Sequence, residues 1–137
     1  MTNPAKSMAD DVATYLAANS IGRIGKTIFV NNAPVNKNDF VLVTDTGGAA
    51  PEQYYPLDHP SVQIAVYGSA SKHAETWELI NDAFRLLNRK QNITIGSRDA
   101  LYARAIQSPY PIGLDADKKR WLFVFNVAFK IRGTDGE

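Results

Sequence analysis

Asp45 is the residue whose type and surroundings are best suited to chemistry. It follows the apolar run Val41-Leu42-Val43 and opens the segment Asp45-Thr46-Gly47-Gly48. A carboxylate held by a glycine-rich turn after a buried strand can share a proton with a second carboxylate, and such a pair activates water for hydrolysis. The chain has one such segment, so the second carboxylate would have to come from a second subunit.

Asp-Thr-Gly is also the tripeptide of aspartic proteases, so a dimeric, retroviral-type protease subunit is one hypothesis. Ile93-Thr94-Ile95-Gly96 resembles the hydrophobic-hydrophobic-glycine element that supports the catalytic loop in those enzymes. Against this hypothesis, an amphipathic helical stretch, Trp77–Leu87, lies between the two segments, where an almost all-β enzyme has strands. The alternative interpretation is that Asp45 caps a tight turn through its side chain, while Gly47 and Gly48 supply positive φ angles.

Other residue patterns that carry chemistry are weak in this chain. The two histidines, His59 and His73, are fourteen positions apart and no carboxylates stand at ligand spacing around both, which argues against a metal site. Gly68-Ser69-Ala70-Ser71 lacks the closing glycine of a serine-nucleophile motif, and no phosphate-binding glycine pattern is present. We therefore expect no enzymatic activity, no cofactor and no metal.

Composition limits the remaining classes of function. The chain has 137 residues, 45% of them hydrophobic and 21% charged, which suits one globular domain over residues 1–137, with 133–137 as a flexible tail. Fifteen basic and 14 acidic residues give a net charge of +1, which argues against nucleic-acid binding by bulk charge. The absence of cysteine, of a signal peptide and of a membrane-length apolar run predicts a soluble protein that is cytoplasmic where it is made.

Hydrophobic periodicity predicts two principal helices, over residues 4–19 and from about Ser69 to Asn88. The first helix is expected to begin at Asn3-Pro4, an N-cap followed by proline. Strands are expected at 27–30, 40–44, 61–67, 93–95, 101–107 and 120–132, with long loops at 45–60 and 108–117. This order predicts an α+β fold, with both helices packed on one face of a mainly antiparallel, mixed sheet.

The last predicted strand has a continuous apolar face, formed by Trp121, Phe123, Phe125, Val127, Phe129 and Ile131. Aromatic side chains on a strand can stack on the bases of single-stranded RNA, which is one possible function. Because this face is uniformly apolar, we expect it instead to be buried in the core.

A series of short motifs follows one order along the chain, from about Val12 to Ile131. After the first helix they are Ile24-Gly25, Phe29, Ala33-Pro34, Asp45-Thr46-Gly47-Gly48, the Pro60–Ile64 strand with Gly68, Gln107-Ser108-Pro109, Gly113, Asp115, Arg120 and the final aromatic strand. This order resembles the tail terminator proteins of long-tailed bacteriophages, also labelled tail completion or minor capsid proteins. At position 67, where the family pattern has arginine in Val-Arg-Gly, this chain has tyrosine.

The resemblance implies a structural virion protein that forms a ring, typically hexameric, on the last ring of the tail tube. Such a ring ends tube polymerisation and offers a docking surface to a head completion or connector protein at the head-proximal end of the tail. DNA would pass through its lumen without sequence-specific binding, and no membrane is involved. A neighbouring head–tail connector is a further possibility. Candidate interface residues, in or beside the two long loops, are Asp45, Gly47, Gly48, Tyr54, Tyr55, Tyr67 and Tyr110.

Overall fold

The computed structural model describes residues 7–34, 37–47, 57–115 and 120–132 of the chain. Two α-helices and eight β-strands follow one another along these residues. In chain order they are α1 (Met8–Ala18), β1 (Ile28–Val30), β2 (Phe40–Asp45), β3 (Leu57–Asp58), β4 (Ser61–Ser69), α2 (His73–Leu87), β5 (Lys90–Ile95), β6 (Arg98–Ala105), β7 (Tyr110–Asp115) and β8 (Arg120–Arg132). A single 3-10 turn, Ala70–Lys72, joins β4 to α2.

β8 is the central strand of one eight-stranded sheet. Along one of its edges it pairs with β4 and β3, and along the other with β6 and β7; the path through the sheet is β1-β2-β4-β8-β6-β5. All pairings between these strands are antiparallel except β1 with β2. The prediction of an α+β fold with a mainly antiparallel, mixed sheet is therefore confirmed.

Both helices cover the same face of the sheet, here called the helix face. Strand register aligns Val41, Val66 and Phe123 across β2, β4 and β8, and all three are buried in the core that also contains Leu16 of α1 and Ile80 of α2. The opposite face, here called the open face, carries the alternate residues of each strand. The helices therefore lie together on one side of the sheet, as the sequence predicted.

The apolar side of β8 forms the centre of the core. Phe123, Phe125 and Phe129 are fully buried, and Phe84 of α2 meets Phe125 edge-on at 5.5 Å between ring centroids. Burial of this aromatic face removes the surface that RNA bases would need for stacking. The interpretation of these residues as core, rather than as an RNA-binding platform, is thus confirmed.

The first helix begins later than its sequence predicts. Met8 is its first residue and Ser7 is its N-cap, because Ser7 and Asp10 form a reciprocal capping box. The prediction of a start at Asn3-Pro4 is therefore wrong, and residues 1–6 lie outside the described residues. α1 contacts β1 and β2 near one end of the sheet path and β5 at the other end, so it bridges two edges of the curved sheet.

The segment 108–117 was predicted to be a loop, and this prediction is wrong for Tyr110–Asp115. These residues form β7, which pairs with the half of β8 that lies beyond the end of β6. The backbone groups along that half of β8 need hydrogen-bond partners, and the returning chain supplies them. Proline has no backbone N–H to donate. Pro111 is tolerated because β7 is an edge strand, in which not every backbone N–H has to pair with a neighbouring strand.

The loop predicted at 45–60 is also shorter than expected at both ends. β2 continues through Asp45, and Leu57–Asp58 forms the short strand β3 against Ile131 and Arg132 of β8. Residues 48–56 lie outside the described residues.

Candidate functional site

The carboxylate of Asp45 binds two other segments of the chain. Its Oδ1 accepts a hydrogen bond from the backbone N–H of Ala9 at 2.9 Å, in the first turn of α1. Its Oδ2 accepts from Asn31 Nδ2 at 2.8 Å, and Asn31 Oδ1 accepts in return from the backbone N–H of Asp45, also at 2.8 Å. Asp45 therefore joins the end of β2 to the start of α1 and to the residue after β1.

The location of Asp45 stabilises its charged form. Burial opposes ionisation, but hydrogen bonds from Asn31, Ala9 and Ser7, together with the positive charge of Arg98, outweigh it and hold the pKa of Asp45 below its ordinary value of 3.8. The positive end of the α1 dipole favours a carboxylate at this position in the same way. Asp45 is thus an ionised anchor over the whole physiological pH range.

The predicted role of Asp45 as the cap of its own turn is only partly consistent with this geometry. Gly47 has a φ of +90°, as predicted, and it is exposed. The partners of the Asp45 side chain among residues 7–34, 37–47, 57–115 and 120–132, however, lie on α1 and beside β1 rather than in the turn. Gly48 lies outside the described residues.

The second protease-like element, Ile93–Gly96, forms the end of β5 and the first residue of the turn into β6. Gly96 has a φ of +60°, and a side chain there would collide with Asp11 of α1. The buried carboxylate of Asp11 accepts from the backbone N–H of Ser97 at 3.1 Å and from Arg98 Nε at 2.7 Å. The hairpin of β5 and β6 therefore holds α1 through Asp11.

These two elements together explain why the protease hypothesis is not supported. An aspartic protease needs a carboxylate that faces a second carboxylate and a water molecule across an open cleft. Here one oxygen of Asp45 accepts from the N–H of Ala9 and the other from the amide of Asn31, so its hydrogen bonds go to other segments of its own chain. Both elements lie against α1: Asp45 binds Ala9 in its first turn, and Gly96 leaves room for Asp11.

The two histidines do not form a site. His73 begins α2 and packs edge-on against the rings of Trp121 and Phe123, at 4.7 and 5.3 Å between centroids. His59 lies next to β3, in the segment that leads into β4. Across the described part of the chain, no group of three histidine, aspartate or glutamate side chains is placed to hold a metal ion.

Tyr67 packs within the open face. Its ring stacks on Phe40 at 4.4 Å with an interplanar angle of 19°, and Phe29 meets Phe40 edge-on at 6.1 Å. The guanidinium carbon of Arg120 lies 4.6 Å from the centroid of Tyr67 and 5.4 Å from that of Phe40. The family pattern has arginine at position 67, on β4. In this chain the guanidinium group beside that position is that of Arg120, on β8.

The outer edge of β6 and β7 carries exposed apolar side chains. Ile106 is 59% exposed, Tyr110 39% and Ile112 58%. Tyr110 was a predicted interface residue; the two isoleucines were missed because their segment was interpreted as a loop. The signal that could have found them is apolar residues at alternate positions in Tyr110-Pro111-Ile112, which is typical of a strand despite the proline. Tyr54 and Tyr55 lie outside the described residues.

A groove of about 350 Å³ lies at the other side of the sheet, between the first turns of α2 and the segment that joins α1 to β1. Its floor is apolar and includes Val41 and Val66, and its charged rim consists of Asp39, Lys72 and Glu75. Asp39 and Lys72 form an ion pair at 3.7 Å. No polar cluster suited to catalysis lies among the residues that line it.

No helix in the described residues is long and apolar enough to cross a membrane. Comparison with curated protein sequences gives no match. A family model described as bacteriophage tail terminator protein matches residues 15–132, a range that contains every strand, the whole of α2 and the end of α1. The chain therefore belongs to the family of bacteriophage tail terminator proteins, a structural family of phage virion components that interact with tail and head proteins.

Proposed function

We propose that this protein forms a closed ring, hexameric as is typical of the family, on the last ring of the tail tube. The ring ends tube polymerisation and offers its other surface to the head completion or connector protein. In this role it is a head–tail joining, minor capsid component at the head-proximal end of the tail, assembled in the host cytoplasm. The phage DNA passes through its lumen without sequence-specific binding.

The observation that carries this proposal, besides family membership, is the set of exposed apolar side chains at the sheet edge formed by β7, which pairs with β8 alone among the described strands. Ile106, Tyr110 and Ile112 cluster on β7 and the residues before it, and three large apolar groups at a sheet edge are typical of a contact surface. A ring forms when such a surface meets a different surface on the next copy and the rotation closes. A single globular domain over residues 1–137 suits this assembly.

The candidate interface residues divide by their surroundings. Tyr110 is exposed, as a contact residue must be, and Tyr67 lies on the open face under Arg120. Asp45 and Gly47 stand where β2 leaves the sheet, so they support the base of the segment that carries Gly48, Tyr54 and Tyr55. We propose that this segment contacts a neighbouring subunit, the tail tube or the head protein.

Two measurements test the proposal. Light scattering after size-exclusion chromatography, with electron microscopy of the same fractions, should show rings, either for the free protein or once tail tubes are added. Added to polymerising tail tube protein in amounts far below stoichiometric, the protein should shorten the tubes, because one ring blocks one growing end. A protein that stays monomeric with tubes present and leaves their length unchanged would contradict the proposal.

A further inference from the structure

Three exposed residues of β6, of β7 and of the segment between them form one line on the open face. Arg104 is opposite Ala128 of β8, the backbone N–H of Ile106 donates to the carbonyl of Asn126 at 2.7 Å, and Tyr110 is opposite Val124. Alternate residues of β8 share one face, so these three side chains follow each other at about 7 Å. Ile112, also exposed, lies at the bulge of β7, two positions after Tyr110. We call Arg104, Ile106, Tyr110 and Ile112 the edge row.

The edge row and the groove lie at opposite edges of the same end of the sheet. Register aligns Ile28, Val41, Val66, Phe123 and Pro111 across β1, β2, β4, β8 and β7. Four strand spacings of about 4.8 Å place β7 roughly 19 Å from β1. The edge row is on the open face beside β7, whereas the groove is on the helix face beside β1 and β2, so the two surfaces can overlap when copies are placed side by side.

The two surfaces are complementary in charge and in apolar character. The groove has an apolar floor, and because Asp39 and Lys72 pair with each other, Glu75 is the charge left on its rim. The edge row has three exposed apolar side chains, and its charge is that of Arg104, which lies over the ring of Tyr102 at 5.9 Å. Within the described part of the chain, neither Glu75 nor Arg104 has an ion-pair partner.

We infer that the edge row of one copy sits in the groove of the next copy, with Arg104 of one subunit against Glu75 of its neighbour. The inference rests on the proposed ring, and it names the two surfaces that close it. Because the surfaces differ, the contact is heterologous, and repeated overlap in one direction closes a ring when the angle per subunit permits. The occupant of the groove is thus a second copy of this chain.

Charge reversal tests the pairing. Arg104→Glu and Glu75→Arg should each raise the protein concentration at which rings fall apart by about tenfold, because each places like charges together. The double variant R104E/E75R should recover most of that loss. Arg132→Glu is the matched control: it makes the same charge change on an exposed arginine, about 13 Å along β8 from the level of Arg104, and should leave ring stability unchanged.

A second pair of variants tests the apolar part. Ile106→Gln and Ile112→Gln replace side chains that are more than half exposed, so thermal melting should be unchanged while ring dissociation increases. Rings that survive every one of these variants would overturn the inference and leave the proposed function intact. Single reversals that break the ring without rescue by the double variant would also overturn it. A wild-type chain that forms no ring, alone or on tail tubes, would instead overturn the proposed function.

Discussion

The Asp45 carboxylate lies 2.9 Å from the backbone nitrogen of Ala9, which is 36 positions earlier in the chain. One side chain thus satisfies a free N–H group in the first turn of α1 and ties that helix to the end of β2. The bond explains why an aspartate that looks catalytic in the sequence is structural in the protein. It also makes the contribution of Asp45 measurable.

Asp45→Asn should lower the free energy of unfolding by about 1 kcal/mol, the usual size of a lost helix cap or hydrogen bond. The new amide can still accept from Ala9, but its NH₂ group would face the NH₂ group of Asn31. Urea unfolding followed by circular dichroism measures the change. The exchanged pair Asn31→Asp with Asp45→Asn restores donor and acceptor and should recover most of the loss. A double variant no better than D45N would refute the assigned hydrogen bonds.

The same residue predicts a dependence on pH. Because the folded-state pKa of Asp45 is lowered, its contribution is fully present above the ordinary value of 3.8 and is lost as pH falls through the lower, folded-state value. The stability difference between the wild type and D45N should therefore be constant from pH 5 to 8 and shrink as the pH falls below 3.8. Urea titrations of both proteins at these pH values check the prediction. A difference that grows on acidification would have the wrong sign.

Asp11 should contribute more than Asp45 does, because its buried carboxylate accepts from both Ser97 and Arg98. Asp11→Ala removes the acceptor of the Ser97 N–H and the ion pair to the partly exposed Arg98, which should cost about 2 kcal/mol. Asp99→Ala removes an exposed carboxylate one residue beyond Arg98 and should change stability by less than about 0.5 kcal/mol. Equal effects of the two variants would show that the contacts of Asp11 are energetically unimportant.

Gly68 lets β4 and α2 approach closely, since a Cβ at this position would collide with Thr76 Oγ1 and approach its Cβ to 2.9 Å. Gly68→Ala should therefore push the helix away from the sheet and cost about 2 kcal/mol, as overpacking does. Thr76→Ala removes the colliding hydroxyl, so the double variant should be more stable than G68A alone. Thermal melting of the three variants decides this. If the double variant is no more stable than G68A, the side chain of Thr76 is not what an alanine at position 68 collides with.

Sequence patterns predicted the elements whose burial leaves a periodic pattern in the local sequence. They did not predict the features that depend on contacts with distant segments of the chain. The alternation in β8 and the stripe of α2 predicted the core correctly, because burial on one face leaves a regular pattern in the residues themselves. β7 was missed because Pro109 and Pro111 indicate a loop, whereas its pairing depends on the unpaired half of β8. The partners of Asp45 could not be inferred at all, since nothing in the local sequence reveals that Ala9 and Asn31 come close to it.

The central position of β8 has a consequence for synthesis on the ribosome. Every strand that β8 joins precedes it in the chain, so β4 and β6 gain their shared partner only after Arg120–Arg132 has left the exit tunnel. Until then their edges are open, and the chain is prone to proteolysis and aggregation. A polypeptide truncated before Arg120 therefore lacks the strand that joins β4 to β6 and cannot complete the sheet.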